Sequence, residues 1–335
     1  MIPGTRRREQ PPTWQEELAR AVTDPAELVR YLRLDPSLIE PARAAARQFG
    51  LRVPRGYLAR IRIGDPRDPL LRQVLPLAVE QTAVDGYGPD PVGDLAAMVV
   101  PGTLHKYEGR ALLTTTGACA IHCRYCFRRH FSYADANAAR DGWRAAIEYI
   151  ASDDSLREVI LSGGDPLTLS DAKLARLVDA LAALPHVQRL RLHSRLPIVL
   201  PERVTGDLCA LLGRTRLAPV VVVHANHPNE IDAHVTEALA RLRESGITLL
   251  NQSVLLRDVN DDSGTLCALS ESLFGAGVLP YYLHLLDRVA GAAHFDVDQA
   301  TAQFLWEQMK NRLPGYLVPR LVREEPGAPS KTMIR

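Results

Sequence analysis

Apolar, β-branched runs alternate with helical patterns along most of the chain after residue 110. The predicted strands are residues 111–115, 158–162, 189–194, 220–224, 248–253, 281–285 and 316–322. The predicted helices between them are residues 138–150, 171–184, 204–212, 231–245, 263–274 and 298–313. Strands that alternate with helices at roughly thirty residues per unit predict a parallel sheet of right-handed βαβ units. Six or seven such units favour a full or partial barrel over a short open sheet.

The first hundred residues follow a different pattern. Short amphipathic helices are predicted at residues 14–22, 25–34 and 40–49, and Asp-Pro pairs separate them. No catalytic constellation is evident there, and residues 91–102 have the composition of a linker. We therefore expect a helical N-terminal region over residues 1–100 and a barrel core over residues 101–335.

Composition excludes several classes of protein. The chain is 46% hydrophobic and 24% charged, as is usual for a soluble globular protein. Lys and Arg total 40 against 39 Asp and Glu, so no basic field suggests nucleic acid. No apolar run approaches the roughly twenty residues of a membrane helix, and residues 1–10 lack the apolar segment of a signal peptide. We expect a cytoplasmic protein, in a compartment that keeps thiols reduced.

Three of the five cysteines, Cys119, Cys123 and Cys126, lie within eight residues. Structural zinc sites and 4Fe–4S clusters usually take four protein ligands. Cys209 and Cys267 lie far away in apolar helical patterns and are expected to be core residues. If the three close cysteines bind a cubane cluster, one iron is left open to a small molecule. The residues alone also allow a disulfide with a spare thiol, a zinc site that borrows a histidine, or an electron-transfer cluster completed by a distant cysteine.

Polar residues follow six consecutive predicted strands at the ends where the active site of a parallel barrel lies. They are the three cysteines, then Ser162-Gly163-Gly164-Asp165-Pro166, His193-Ser194-Arg195, residues 224–229, Gln252 and Asp287. Two glycines after a strand allow backbone to approach a ligand without a Cβ between them. For His224, Asn226 and Gln252, a structural hydrogen-bonding role fits the sequence nearly as well as a ligand-binding role.

The Cys-x3-Cys-x2-Cys spacing resembles the signature of the radical S-adenosylmethionine enzymes. Over most of its length the chain also resembles the lysine 2,3-aminomutase family, and most closely the aminomutases that serve elongation factor P. The similarity is carried by His105-Lys106-Tyr107, by Phe127-Arg128-Arg129 after the cysteines, by the Gly-Gly-Asp-Pro turn, by residues 224–230, 251–256 and 281–284, and by Pro329-Ser330-Lys331. Taken alone, Lys331 is predicted to be a solvated tail residue.

The resemblance implies a partial (β/α)6-type TIM-like barrel of the radical S-adenosylmethionine kind, with an N-terminal helical lead-in. Cys119, Cys123 and Cys126 would hold a 4Fe–4S cluster whose open iron binds S-adenosylmethionine. The residues implied for S-adenosylmethionine are Gly163, Gly164 and Asp165 at its methionine amino group, with His224, Asn226 and Gln252 as candidates for its adenosine half. Lys331 would form the Schiff base with pyridoxal 5′-phosphate, and Tyr107 and Arg110 would lie near the ring and phosphate.

The same resemblance implies L-lysine as substrate and (R)-β-lysine as product. Arg128 would pair with the α-carboxylate, which suits a bidentate guanidinium. Asp287 and Glu324 would bind the ε-ammonium, because a buried ammonium needs opposite charge. A ligase would attach the product to elongation factor P, and a reducing partner such as flavodoxin or ferredoxin would supply the electron.

Several features depart from the longer, catabolic members of the family. This chain has four residues after Lys331, Pro-Gly-Ala-Pro-Ser where those members have a run of glycines, and Glu324 as the second acid. The alternatives are a free-standing lysine aminomutase, a glutamate aminomutase, and a non-enzymatic iron–sulfur sensor or binding module. Acids at both Asp287 and Glu324 disfavour glutamate, and Lys331 disfavours the sensor.

Overall fold

The computed structural model describes residues 12–133 and 142–334. Residues 1–10, on which the signal-peptide prediction rests, lie outside this part, and so does the start of the helix predicted at residues 138–150. The helices before the sheet are α1 (Trp14–Ala19), α2 (Pro25–Tyr31), α3 (Ile39–Gln48), α4 (Arg55–Leu58) and α5 (Pro69–Arg72). No helix within the described ranges has the length and apolar character needed to cross a membrane.

The Asp-Pro pairs of this region begin helices. Asp24 accepts a hydrogen bond from the Ala26 amide, and Pro25 is the first residue of α2. Asp68 likewise accepts hydrogen bonds from the first turn of α5, with Pro69 as its first residue. Asp satisfies the free N–H groups of a first turn, and Pro at the first position has no N–H to satisfy. The pairs therefore set the boundaries between these short helices.

Ten strands form one sheet in the order of the chain. They are β1 (Met98–Val100), β2 (Thr103–Tyr107), β3 (Arg110–Thr116), β4 (Glu158–Gly163), β5 (Arg189–Ser194), β6 (Ala218–Val223), β7 (Thr248–Val254), β8 (Leu279–His284), β9 (Arg320–Arg323) and β10 (Thr332–Met333). Strands β3 to β9 pair in parallel. Strands β1 and β2 at one edge and β10 at the other pair antiparallel.

A helix occupies each connection between the parallel strands. The helices are α6 (Arg144–Ala151), α7 (Asp171–Ala182), α8 (Leu196–Val199), α9 (Gly206–Arg214), α10 (Ala233–Glu244), α11 (Ser263–Gly275) and α12 (Gln299–Arg312). Six βα units followed by β9 confirm the predicted α/β class and partial-barrel architecture. Cys209 in α9 and Cys267 in α11 are buried, which confirms that they are core residues.

Alternate residues of the parallel strands face different environments, as the two-residue period of a strand requires. In β3, Ala111 and Leu113 belong to the hydrophobic core under the helices, whereas Arg110 and Leu112 line a cavity inside the barrel. The same alternation continues in β4 and β5. The helix-facing set there is Val159, Leu161, Leu190 and Leu192, and the cavity-facing set is Glu158, Ile160, Ser162, Arg191 and His193. The barrel interior is therefore partly polar.

Two sequence predictions differ from the structure. The linker expected at residues 91–102 contains β1, which pairs with β2 through Met98 opposite Leu104. A strand of three residues is too short to show alternation, so the hairpin was missed. The strand predicted at residues 316–322 begins later, at Arg320, because Gly315–Leu317 forms a 3-10 turn after Pro314.

The turn after β4 requires its glycines. Gly163 has φ +118°, and a Cβ there would lie 2.6 Å from the Thr116 carbonyl oxygen. A Cβ on Gly164 would lie 2.2 Å from the carbonyl oxygen of Ala118. Both contacts are with backbone that leads into Cys119, and backbone cannot rotate away as a side chain can. The glycines therefore let the β4 turn pack against the cysteine segment.

We expect Gly164→Ala to lower the free energy of unfolding by about 1–3 kcal/mol or more, since overpacking forces backbone to shift. Urea unfolding followed by circular dichroism measures this change. The control is Gly206→Ala at the start of α9, where a Cβ meets nothing within 4 Å. The control should alter stability by no more than about 1 kcal/mol. Equal effects of the two substitutions would contradict the packing argument.

Candidate active site

A cavity of about 880 Å³ occupies the barrel interior. At the carboxyl ends of the strands it is lined by the cysteine segment and by Gly163 and Gly164. At the amino ends it is lined by charged side chains, including Arg110, Glu158 and Arg320. The cavity thus joins the cysteines to the floor of the barrel.

Cys119, Cys123 and Cys126 all line this cavity and are unpaired, partly exposed thiols. Burial raises the pKa of Cys126 to about 11 and raises that of Cys119 well above its ordinary value. Bound iron would supply the positive charge that stabilises three thiolates here. No three His, Cys, Asp or Glu side chains in the described ranges converge as ligands of a single metal ion. A cubane cluster needs no such convergence, because each thiolate binds a different iron.

A buried ion network anchors the cysteine segment to the N-terminal region. Glu80 lies in the 3-10 turn Ala78–Gln81, and its carboxylate accepts hydrogen bonds from Arg124 Nε at 2.9 Å and Nη2 at 2.5 Å. Arg129 Nη2 donates to the same carboxylate at 2.7 Å. Burial alone would raise the pKa of Glu80, but the two guanidiniums outweigh burial and lower it. Sequence reasoning missed this network, because Glu80 is far from the cysteines in the chain.

Asp165 joins two strand ends. Its carboxylate accepts hydrogen bonds from the Leu167 amide, the Ser194 hydroxyl and the Arg195 and Leu196 amides at 2.7–3.2 Å. Burial raises the pKa of this carboxyl to about 6, although these donors lower it. The carboxylate is thus committed to the protein, and the glycine backbone beside it lines the cavity. Contact of this turn with S-adenosylmethionine stays a prediction.

The three residues predicted for the adenosine half differ in their surroundings. The side-chain amide of Asn226 donates through Nδ2 to Gln73 Oε1 at 3.0 Å and to the Tyr125 hydroxyl at 2.6 Å. Its side-chain oxygen, Oδ1, accepts a hydrogen bond from the Val254 backbone amide at 2.8 Å. Asn226 therefore has a structural role whatever else it binds. His224 and Gln252 line the cavity and are 2.8 Å apart, Nε2 to Nε2. Burial and Arg195 lower the pKa of His224 to about 3, so its imidazole is neutral.

Arg128 is held by an acid that sequence reasoning missed. Its Nε donates to Asp94 Oδ2 at 2.7 Å, and its Nη1 donates to the Ser162 hydroxyl at 3.1 Å. Lys106 Nζ lies 2.6 Å from the other Asp94 oxygen. Asp94 falls in the segment predicted to be a linker, so nothing in its sequence context marked it. These bonds fix the Arg128 guanidinium at the cavity wall through Nε and Nη1, without using Nη2.

Lys331 lies in the cavity wall, with 24% of its side chain exposed, and not in a fully solvated tail. Its Nζ lies 2.5 Å from Glu324 Oε2 and 5.8 Å from the centre of the Tyr282 ring. The Tyr107 hydroxyl donates to Glu324 Oε1 at 2.6 Å, and Arg110 stacks on the Tyr107 ring at 4.6 Å. Strand β10, which follows Lys331, pairs with β9 and holds this segment against the barrel.

Asp287 also lines the cavity. Burial raises the pKa of its carboxyl to about 7, against the attraction of Lys331. The structure therefore brings the residues implied by the family resemblance to one cavity.

Comparison with known proteins identifies the family. A family described as a 4Fe-4S single cluster domain matches residues 108–188. L-lysine 2,3-aminomutase of Escherichia coli (strain K12) is 50% identical over 322 residues, which are 96% of this chain and 94% of that protein. The chain belongs to the L-lysine 2,3-aminomutase family.

Other members share less of the sequence. The L-lysine 2,3-aminomutase of Haemophilus influenzae is 46% identical to this chain. The alignment covers 96% of this chain and 95% of that protein. The L-lysine 2,3-aminomutase of Clostridium subterminale is 34% identical. That alignment covers 96% of this chain but only 77% of the longer Clostridium protein. A radical SAM methyltransferase from Sphaerobacter thermophilus aligns over 66% of this chain and 68% of its own, at 15% identity and a TM-score of 0.47. Sheet topology and these relatives, rather than that structure, carry the assignment. As a family member, the chain is an isomerase.

The floor of the cavity carries several guanidiniums, which suit an anionic ligand. Arg110, Arg191 and Arg320 line it, and Glu158 forms an ion pair with Arg191. Within the described ranges, five buried side-chain nitrogens of cavity-lining residues lack a hydrogen-bond partner, namely Arg129 Nε, Arg191 Nε, His193 Nε2, Arg195 Nε and His284 Nε2. Buried polar groups normally have partners, so these atoms fit a bound ligand. Sequence reasoning identified Arg110 but missed Arg191, within β5, and Arg320, at the amino end of β9.

Proposed function

We propose that this chain converts L-lysine to (R)-β-lysine by radical chemistry that uses S-adenosylmethionine and pyridoxal 5′-phosphate. One observation carries the proposal. The three cysteines, Arg128, Asp287, Glu324 and Lys331 line a single cavity inside the barrel. This reaction needs a radical source, an aldehyde that binds the substrate amine, and a site for each end of lysine. These groups have to lie close together, and the residues that line this cavity are suited to each of them.

At the carboxyl end of the barrel, Cys119, Cys123 and Cys126 would hold a 4Fe–4S cluster. When bound there, the cluster with S-adenosylmethionine supplies a deoxyadenosyl radical that takes hydrogen from the substrate. The Gly163 and Gly164 backbone allows close approach of a ligand beside the cysteines. His224 and Gln252, which also line the cavity, offer a neutral imidazole and an amide to the adenosine half.

In the same cavity, Lys331 would hold pyridoxal 5′-phosphate. When bound, this cofactor supplies the aldehyde that captures the substrate amine and the ring system that stabilises the radical during migration of nitrogen. Arg110, Arg191 and Arg320 present guanidiniums suited to its phosphate, and guanidiniums bind phosphate in a bidentate manner. The Tyr107 and Tyr282 rings near Lys331 would confine the cofactor ring.

Charge selects lysine at both ends. Arg128, already fixed by Asp94 and Ser162, presents a cation for the α-carboxylate. Asp287 and Glu324 present two acids for the ε-ammonium. The same two acids would repel the side-chain carboxylate of glutamate, which disfavours a glutamate aminomutase.

We expect Lys331→Ala to abolish β-lysine formation while the cluster still assembles. The measurement is anaerobic: reconstitution with iron and sulfide, addition of pyridoxal phosphate, S-adenosylmethionine, dithionite and L-lysine, and chromatography of the products. Lys310→Ala is the control, because Lys310 is an exposed residue of α12 that pairs with Glu307. If wild type cleaves S-adenosylmethionine but leaves lysine unchanged, the substrate assignment is wrong. β-Lysine formed by Lys331→Ala at the wild-type rate would exclude Lys331 as the cofactor lysine.

The Asp287 carboxyl should make lysine binding depend on pH near neutrality. Its pKa is raised to about 7 by burial, so it is neutral below that pH and gains its charge above it. We expect kcat/KM for lysine to fall by up to about tenfold per pH unit below the pKa, as the ionised fraction falls. Asp287→Asn should lower kcat/KM and remove this limb of the pH profile. Asp179→Asn, at an exposed position of α7, should keep the wild-type profile. An unchanged limb in Asp287→Asn would assign the titration to another group.

The product, we propose further, is made in the cytoplasm for attachment to elongation factor P, with a flavodoxin or ferredoxin as electron donor. Support comes from the similarity to the aminomutases that serve this factor, and from the match to the Escherichia coli and Haemophilus influenzae relatives over nearly their whole length.

A strain that lacks this chain should accumulate elongation factor P without the added β-lysyl mass, because its ligase would lack the substrate. Mass spectrometry of the purified factor measures this change. Supplying (R)-β-lysine in the medium should restore the modification. Unaltered modification in the strain without the chain would instead favour a free-standing role in amino-acid metabolism.

A further inference from the structure

Arg195 is a buried arginine that none of the roles above uses. It directly follows β5 and is 5% exposed. Its guanidinium contacts two aromatic rings, 5.7 Å from the centre of Tyr57 and 5.6 Å from that of Tyr125. The backbone amide of Arg195 donates to Asp165 Oδ2 at 2.7 Å. Both the start of the side chain and its end are therefore fixed.

The guanidinium contacts a cysteine of the Cys-x3-Cys-x2-Cys motif. Arg195 Nη1 donates to Cys123 Sγ at 2.7 Å. Its Nη2 donates to Gln73 Oε1 at 2.7 Å and to Glu230 Oε2 at 2.9 Å. Gln73 Nε2 in turn donates to the other Glu230 oxygen at 3.1 Å. The Arg195 guanidinium thus connects Cys123 to Gln73 of the N-terminal region and to Glu230 of the turn after β6.

The Arg195 guanidinium makes a hydrogen bond to the Cys123 sulfur in addition to its buried ion pair with Glu230. Glu230 and Gln73 already satisfy Nη2, so the bond from Nη1 to sulfur is additional. Hydrogen bonds to cluster sulfurs and nearby net charge set the reduction potential of an iron–sulfur cluster. A cationic donor stabilises the more negative, reduced state most, and so raises that potential.

We propose that Arg195 is a positioning residue that orients Cys123 and raises the reduction potential of the cluster held by the three cysteines. The inference rests on the proposed function, because it requires that a 4Fe–4S cluster is bound. It places the tuning of the electron-accepting step in the residue that follows β5, two strands away in the sheet from β3, after which the cysteines come.

The chain offers a matched control in Arg203. This side chain is also fully buried, and it donates to the Leu167 and Leu169 carbonyl oxygens and to Asp171. Its described hydrogen bonds involve no cysteine. Arg203→Gln therefore removes a buried guanidinium without removing a donor to sulfur.

The test compares reconstituted wild type, Arg195→Gln, Arg195→Lys and Arg203→Gln. Circular dichroism checks folding, iron and sulfide analysis checks loading, and a redox titration followed by electron paramagnetic resonance gives the midpoint potential. We expect Arg195→Gln to shift the potential to more negative values. Arg195→Lys should shift it less, because its single amine keeps the charge but is shared with Glu230 and Gln73. Arg203→Gln should keep the wild-type potential.

The outcomes separate the two proposals. A wild-type potential in Arg195→Gln, or an equal shift in Arg203→Gln, would overturn the inference and leave the proposed function standing. If Arg195→Gln does not fold, Arg195→Lys decides, and a wild-type potential in that variant overturns the inference. If wild type itself assembles no 4Fe–4S cluster, the proposed function fails and the inference fails with it.

Discussion

The site depends on the burial of Glu80 between Arg124 and Arg129. Removing one partner of a buried ion pair leaves an uncompensated charge in the interior, which costs about 3–5 kcal/mol. Arg124 also donates to the backbone carbonyl oxygens of Phe49 and Gly50, at 2.8 and 3.1 Å. Both arginines belong to the segment that carries the cysteines. The N-terminal region therefore helps to fix where that segment lies, through Glu80 and the carbonyl oxygens of Phe49 and Gly50.

A second constraint is the polar interior of the barrel. In many parallel barrels, branched apolar residues fill the inside. Here Arg191 and His193 of β5, His224 directly after β6 and Gln252 of β7 line the cavity instead. Polar groups without partners are costly inside a protein. The interior thus loses packing that a closed apolar core would have, and bound cofactors and substrate would supply the missing partners. The hydrophobic core under the helices, which continues into the N-terminal region, stabilises the fold.

The two buried networks differ in what they connect. The Glu80 network joins the cysteine segment to the N-terminal region. The Glu230 network joins Arg195, Gln73 and Asn226, and through Arg195 it reaches Cys123. Together they hold the cysteine segment from two sides. Such positioning suits radical chemistry, in which the protein mainly orients the cofactors and excludes side reactions.

Local pattern determined much of this protein. The alternation of strands and helices, the close spacing of Cys119, Cys123 and Cys126, and the Gly163-Gly164 turn after a strand are short-range features, and from them the fold class and the cysteine site could be predicted. The family resemblance added Arg128, Asp287, Glu324 and Lys331. Only the tertiary structure decided that Glu80, Asp94 and Arg195 serve the same site. Each is an ordinary charged residue in its local sequence, and its importance comes from a partner 34 to 72 positions away, such as Asp94 for Arg128 and Cys123 for Arg195. Pairing between buried charges depends on distance in space. The separation of two residues in the sequence does not indicate that distance.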